Sequence, residues 1–421
     1  MKKLIQMVIL FVVTCPLSIS IYARPVDAEY LYETLKNRIY QIQVIDIASD
    51  KKSSIGSGFL VSESGLIATN YHVISDVIHS PDQYRIEYLS HDGTTGELQL
   101  RDIDVIHDLA IIYRGDVKLE GLELSTDKLA KGAHIYSLGN PHDLGMTIIE
   151  GTFNGLLEKS LYEKILFSGA LNPGMSGGPA LDRKGRVIGI NVSTAGNDLS
   201  FLVPVRYLEK LLENSEKQDK PVNFLARIEE QLYNNQFKYM EALLSSKWET
   251  MTLGEVELPA ELENYFKCWG QTDDDKEQLY IHSYSACASP DSIYISSSFD
   301  TGNIDFRYDW YDADKLNMFQ FYSLYSREFS DSYSTNRASK EDVSNYKCNT
   351  DFVSLSDKTW KVAMCIRNYK KFKSLYDLSL TMAQVSDYDK GVIINLNATG
   401  IAKDSLMKFS RQFMENVHWQ N

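Results

Sequence analysis

Residues 172–182 read "NPGMSGGPALD". Glycine tolerates positive φ and a serine hydroxyl bonds nearby backbone, so a turn accounts for this string taken alone. The other reading makes Ser176 a nucleophile. A serine hydroxyl reaches that state only when a base takes its proton and a carboxylate orients the base. The rest of the chain therefore decides whether the string is chemistry or a turn.

Eight histidines are available as the base. His72 lies at the end of a strand-like run, "GLIATNYHVI", and Asp108 precedes an apolar strand in "DVIHDLAIIY". Alone, His72 reads as a core histidine and Asp108 as a strand-start cap. Together with Ser176 they follow the order His, Asp, Ser, which chymotrypsin-type folds use and α/β-hydrolases and subtilisins do not. His107 is expected on the opposite face of the Asp108 strand, toward solvent.

Short alternating runs surround these residues. After a helical stretch "DAEYLYETLKNR" with Asp27 as N-cap, "IYQIQVIDI" puts Tyr40, Ile42 and Val44 on one face. "IGSGFLVS", "YRIEYLS", "GELQLRDID", "AHIYSLG", "MTIIEGTFNGLL", "KILFSGAL", "GRVIGINVS" and "SFLVPV" follow between turn signals. Closely spaced short strands predict an all-β barrel or sandwich. A helix, "VRYLEKLLENSEK", and a charged linker, "KQDKP", close this section.

Five of these blocks, "GSGFLVSESGLIATNYHVI", "HDLAIIY", "YSLGNPHDLGMTIIEGTFNGL", "GALNPGMSGGPALDRKGRVIGINVS" and "SFLVPV", resemble in order the motifs of trypsin-like serine proteases, nearest the HtrA (Deg) branch. The resemblance runs from about Asp27 to Leu212. It implies a mainly β fold of two six-stranded antiparallel β-barrels, chymotrypsin-like, with the site in the cleft between them. It implies His72 and Asp108 from the first barrel and Ser176 from the second. The amides of Gly174 and Ser176 would form the oxyanion hole. Asp104, a second carboxylate, lacks the Leu-Ala that follows the family's acid.

The resemblance also locates specificity. The base of the primary pocket falls at Ala170, where trypsins keep an aspartate. The strand after the nucleophile loop, "GINVSTAG", has no histidine of the kind that glutamate-specific relatives carry. Asn191, Val192 and Ser193 would offer backbone to an extended substrate. Cleavage after small aliphatic residues is expected. Met175 replaces the aspartate that pairs with a freed N-terminus in digestive enzymes, so activation by that ion pair is not expected. Nothing after residue 215 reads as the PDZ module of HtrA relatives.

The whole chain has 421 residues, more than one hydrophobic core usually serves. A net charge of −14 argues against a nucleic-acid surface. The expected organisation is a signal peptide at 1–23, a protease domain at 27–213, a linker and helix at 214–235, and a separate α+β domain of unknown role at 236–421. Lys2 and Lys3, an apolar run and Ala23 before Arg24-Pro25 give the plan of a secretory signal cleaved after Ala23. Pro16, Ser18 and Ser20 weigh against an uncleaved anchor, and Thr14 against lipid attachment at Cys15. No stable membrane span is expected once the signal is removed. Export, to the periplasm or beyond the cell, agrees with Cys268, Cys287, Cys348 and Cys365, an even set that suggests two disulfides with the pairing open. No metal is expected, because the cysteine spacings lack a close pair and no histidine cluster accompanies them. The acidic "QTDDDKEQ" has too few ordered ligands for an EF-hand. No cofactor is expected. Partners are protein or peptide substrates, with oligomeric state open.

In the second half, "FLARIEEQLYNNQFKYMEALLSSKW" reads as helix, and "DSIYISSSFD", "IDFRYDWYD" and "SLYDLSLTMAQV" as strands. A last helix carries Leu406, Phe409, Phe413 and Val417 at helical spacing. Two functions are compatible with the whole: an exported serine endopeptidase, with protein quality control as its setting, or a protease-fold binding protein without turnover.

Overall fold

The computed structural model describes residues 27–115, 117–196, 198–216, 222–273, 278–332, 338–355 and 357–420. The expected signal segment, the "KQDKP" linker and residues 274–277 of the acidic loop lie outside them. Helix α1 (Ala28–Leu35) opens as expected, with the Asp27 carboxylate accepting the Tyr30 amide at 3.0 Å.

The first barrel closes in the order β1 (Ile39–Asp46), β2 (Lys51–Leu60), β3 (Leu66–Thr69), β6 (Leu109–Tyr113), β5 (Thr95–Asp104), β4 (Tyr84–Leu89), all pairs antiparallel. In β1 the Tyr40, Ile42 and Val44 face is buried as patterned, and so is the other face. Gln41 and Gln43 survive there because they are bonded: Gln43 donates to Gln41, and Gln41 donates to Asp143 at 2.7 Å. The strand-like reading of "GLIATNYHVI" holds only to Thr69. Helix α2 (Tyr71–His79) begins next, so His72 stands in a first helical turn, not at a strand end. Tyr71, Ile74 and Ile78 are the buried helical repeat that the preceding alternation masked.

The second barrel closes in the order β10 (Pro179–Leu181), β11 (Val187–Gly196), β12 (Leu199–Pro204), β9 (Ile165–Ser168), β8 (Thr147–Leu156), β7 (His134–Gly139). One core joins the barrels, with Phe59, Leu109 and Ile111 from the first packed with Leu138, Leu181 and Val203 from the second. This packing fixes the two walls of the cleft.

Helix α3 (Val205–Glu216) covers the barrels, and α4 (Phe224–Ser245) follows as one continuous helix. Its first turns bury Ile228 and Leu232 against the first barrel, where Gln231 accepts the Val105 amide and donates to the Ile103 carbonyl. Its last turns bury Tyr239, Met240 and Leu243 under the second half's sheet. The remaining strands are β13 (Thr250–Leu253), β14 (Val256–Pro259), β15 (Lys267–Asp273), β16 (Ile281–Ala288), β17 (Ile293–Ser296), β18 (Phe299–Thr301), β19 (Ile304–Asp312), β20 (Lys347–Leu355), β21 (Lys358–Asn368), β22 (Leu375–Gln384), β23 (Lys390–Ala402) and β24 (His418–Trp419).

Seven of them form a sheet ordered β15-β16-β19-β23-β22-β21-β20. One face packs on α4 and α6 (Lys403–Glu415) through Phe306, Leu380, Ile394, Phe409 and Phe413, and α5 (Met318–Asp331) covers part of the other. Val417 is buried as patterned but lies just past the end of α6. Both edge strands are stapled to their neighbours by disulfides, Cys268–Cys287 joining β15 to β16 and Cys348–Cys365 joining β20 to β21. Strands β17 and β18 form a separate hairpin whose Ile293, Ile295 and Phe299 share a core with Tyr71, Ile74 and Ile78 of α2. The second half thus packs directly against the helix that carries His72.

Candidate active site

Asp108 is the last residue of the turn before β6, held in the left-handed region at φ +56°. Its backbone carbonyl accepts the Asn70 side-chain amide at 2.8 Å and the Tyr71 amide at 3.3 Å, which docks the start of α2 on the turn. Its carboxylate then meets His72 twice. Oδ1 accepts the His72 backbone N–H at 2.8 Å, and Oδ2 lies 2.6 Å from Nδ1. Two bonds from one carboxylate fix both the ring's position and the nitrogen that faces away. Burial works against the charged imidazole, but the Asp108 charge and hydrogen bond outweigh it and raise the His72 pKa above its ordinary 6.5.

His107 departs from the expected solvent-facing strand position. Its Nδ1 lies 2.6 Å from Asp104 Oδ2, and its ring stacks on Tyr207 with centroids 3.7 Å apart. The neighbouring carboxylate, Asp104, is thereby engaged away from His72.

The Ser176 loop is two successive turns. Met175 N–H donates to the Asn172 carbonyl at 3.0 Å, with Pro173 second and Gly174 third at φ +96°. That is the residue pattern of a type II turn. Gly178 N–H donates to the Met175 carbonyl at 3.1 Å, with Gly177 third at φ +84°. Only glycine fits at 174: a Cβ there would sit 2.4 Å from the Asn140 carbonyl oxygen.

The carbonyls from Pro173 to Ser176 each have a fixed partner. The Pro173 carbonyl accepts His142 N–H at 2.8 Å, the Gly174 carbonyl accepts the Ser57 hydroxyl at 2.7 Å, and the Ser176 carbonyl accepts Ser57 N–H at 2.7 Å. The Met175 carbonyl also accepts the Asn191 side-chain amide at 3.2 Å. In a trans peptide N–H points opposite to C=O. Holding the Pro173 and Met175 carbonyls therefore aims the Gly174 and Ser176 amides the other way. Among the described residues neither amide has an acceptor. Met175 itself is buried in the second barrel's core.

The Ser176 hydroxyl donates to the Val192 carbonyl at 3.4 Å, and among the described residues no hydrogen bond joins it to the His72 ring. Val192 is the bulged residue of β11 opposite β12, and Ser193 beside it is exposed. Asn191 is a correction to the expected substrate-facing strand. Fully buried, it donates to the Leu138 and Met175 carbonyls and accepts the Ser137 hydroxyl, while its backbone bonds Gly177 and Gly178. A buried amide so engaged clamps the loop and offers nothing to a substrate. Ala170 is half-buried, with its carbonyl 3.4 Å from the Asn172 side-chain amide.

Sequence reasoning missed Ser57, Asn191 as a clamp, and Tyr294, whose ring stands edge-on to His72 at 6.0 Å between centroids. The alternation around Tyr294 was visible, but a contact across 222 residues leaves no local signal.

Residues 56–190 match the family model of the trypsin-like peptidase domain. This part of the chain is a trypsin-like peptidase domain. The chain is also similar, over part of its length, to curated relatives of the HtrA branch. "Serine protease HTRA1" of Xenopus tropicalis is 33% identical over 170 residues, covering 38% of this chain and 36% of that protein. "Probable periplasmic serine endoprotease DegP-like" of Chlamydia trachomatis is 32% identical over 169 residues, covering 38% and 33%. The chain thus spans about a third of the length of these relatives. Among solved structures, a serine endoprotease from Yersinia pestis aligns with TM-score 0.40 and 22% identity, over 46% of this chain and 68% of that one. Among the described residues no helix is long and apolar enough to cross a membrane.

Proposed function

We propose that the chain is an exported serine endopeptidase that hydrolyses peptide bonds in proteins through His72, Asp108 and Ser176. Ser176 Oγ attacks the scissile carbonyl carbon while the outward nitrogen of His72 takes its proton. The tetrahedral oxyanion is stabilised by the Gly174 and Ser176 amides, each such donor contributing about 2.7–4 kcal/mol to the transition state. His72 then protonates the leaving amine, the acyl-enzyme forms, and water activated by the same ring releases the product. Asp108 holds the ring and stabilises its charged form throughout.

The observation that carries this reading is the pair of Gly174 and Ser176 amides, without an acceptor among the described residues, together with a histidine held by a carboxylate at 2.6 Å. The test is a fluorophosphonate probe on the purified chain, with casein hydrolysis in parallel. Labelling of Ser176 that disappears in Ser176→Ala, with turnover lower by about six orders of magnitude, is the expected result. Casein hydrolysis retained in that variant would assign the chemistry elsewhere.

The two disulfides support export, since such bonds persist in oxidising compartments. The name of the Chlamydia trachomatis relative supports a periplasmic setting, and extracellular release satisfies the same chemistry. Ala170, with no charged side chain on residues 191–196, favours small aliphatic residues before the scissile bond. Protein quality control is the role proposed by analogy with the branch. One observation favours a second reading, a protease-fold binding protein without turnover: the Ser176 hydroxyl is bonded to Val192 and not to His72. Catalytic hydrogen bonds tighten on substrate binding, and the probe separates the two readings because a chain without turnover chemistry forms no adduct.

A further inference from the structure

Segment 291–295 bridges the two barrels across the face of the cleft that holds His72. At one end, Asp291 is buried and its carboxylate accepts the Ser160 hydroxyl at 2.7 Å, the Leu161 amide at 2.9 Å and the Lys164 ammonium at 2.8 Å, all from the second barrel. At the other end, the Ile295 carbonyl accepts the Tyr71 hydroxyl at 2.8 Å and lies 3.0 Å from His79 Nε2, both on α2 of the first. Strand alternation turns Ile293 and Ile295 into the core and Tyr294 toward His72.

Between this segment, the His72 ring and Val192–Ser193 lies a cavity of about 290 Å³ that does not reach Ala170. An apolar cavity of about 150 Å³ holds a benzene-sized group, so this one has room for a large side chain. The charges at its rim are already paired: Asp108 with His72, Lys164 with Asp291, and Glu163 with Arg206. A charged side chain entering it would lose hydration without gaining a free counter-ion.

Resting on the endopeptidase reading above, we propose that this cavity, walled by Tyr294 from the second half of the chain, is a specificity subsite for an uncharged substrate side chain. Successive side chains of an extended substrate point to opposite faces. With one residue turned toward Ala170, the residue before it faces His72 and Tyr294. The second half of the chain therefore takes part in choosing the sequence that is cut.

The test uses the full chain and a peptide series with valine before the scissile bond and the preceding position varied through Ala, Leu, Phe, Lys and Glu. The unsubstituted chain should favour Leu and Phe over Lys and Glu by about tenfold or more in kcat/KM. Tyr294→Ala should flatten that ratio, Tyr294→Phe should keep it, and Tyr294→Trp should discriminate against Phe relative to Ala. Selectivity at the Ala170 side should not change. Fluorophosphonate labelling of Ser176 reports that each variant retains its site. An unchanged profile in Tyr294→Ala and Tyr294→Trp, with labelling intact, overturns this inference alone. Should Tyr294→Ala lose labelling by misfolding, Tyr294→Trp decides. Absence of labelling and of hydrolysis in the unsubstituted chain overturns the endopeptidase reading along with it.

Discussion

Asn191→Ala separates a clamp from a substrate contact. The side chain makes three buried hydrogen bonds, to the Leu138 carbonyl at 3.1 Å, the Met175 carbonyl at 3.2 Å and the Ser137 hydroxyl at 2.8 Å. Truncation leaves the Ser137 hydroxyl and the Leu138 carbonyl without this side-chain partner, at about 1–3 kcal/mol each, so stability should fall by about 2–6 kcal/mol. The Met175 carbonyl keeps Gly178 N–H, so the Ser176 amide is loosened rather than lost. Complete loss of one oxyanion donor costs about 10²–10³ in kcat, and partial loss should cost about ten- to a hundredfold. Because the donor acts on the transition state, KM should move far less than kcat. Urea unfolding and steady-state kinetics on one peptide measure both quantities. A raised KM with unchanged kcat and unchanged stability would refute the clamp.

The Asp108→Asn variant should lose about four orders of magnitude in kcat, because an amide donating to Nδ1 leaves the proton on the nitrogen that must accept one from serine. The neutral ring is the active form, so kcat/KM of the unsubstituted chain should fall as pH drops through the raised His72 pKa, with its acid limb above 6.5. Without the carboxylate, burial dominates and that limb should move down; an unmoved limb would show that the pair does not set the titration. The same raised pKa contributes stability fully present below about pH 6.5, the ordinary imidazole value, and lost as pH rises through the folded value. Reduction of the disulfides, which close separations of 19 and 17 residues, should remove about 3 kcal/mol each and lower the unfolding midpoint by about 10 °C or more. An unchanged midpoint after complete reduction would show that the edge strands do not need their staples.

The strands were legible because they are short, alternating and separated by turn residues, a pattern that burial imposes locally; that pattern left barrel or sandwich open, and the resemblance alone implied two barrels. The meeting of His72 with Asp108 was legible from chain order and flanking motifs. How they meet was not. Asp108 adopts φ +56° in a turn rather than starting the strand, and His72 opens a helix, because "NYHVI" carries both alternation and a helical repeat. Asn191 was expected to offer backbone to a substrate, since a polar residue between apolar ones gives no sign that a loop's carbonyls will engage its side chain. The second half's helices and strands could be read from their own periodicity. Its seat against α2 depends on Ile293 and Phe299 meeting Tyr71 and Ile78, contacts between segments with no shared local pattern.

The crystal structure of the chain after reaction with a phosphonate tests the roles of Ser176, His72 and the two amides most directly. Phosphorus bonded to Ser176 Oγ is expected, with its oxygen about 2.7–3.1 Å from both the Gly174 and Ser176 amides and the hydroxyl oxygen withdrawn from Val192 toward His72. An adduct on another residue, or a phosphoryl oxygen turned to solvent with both amides empty, would contradict it.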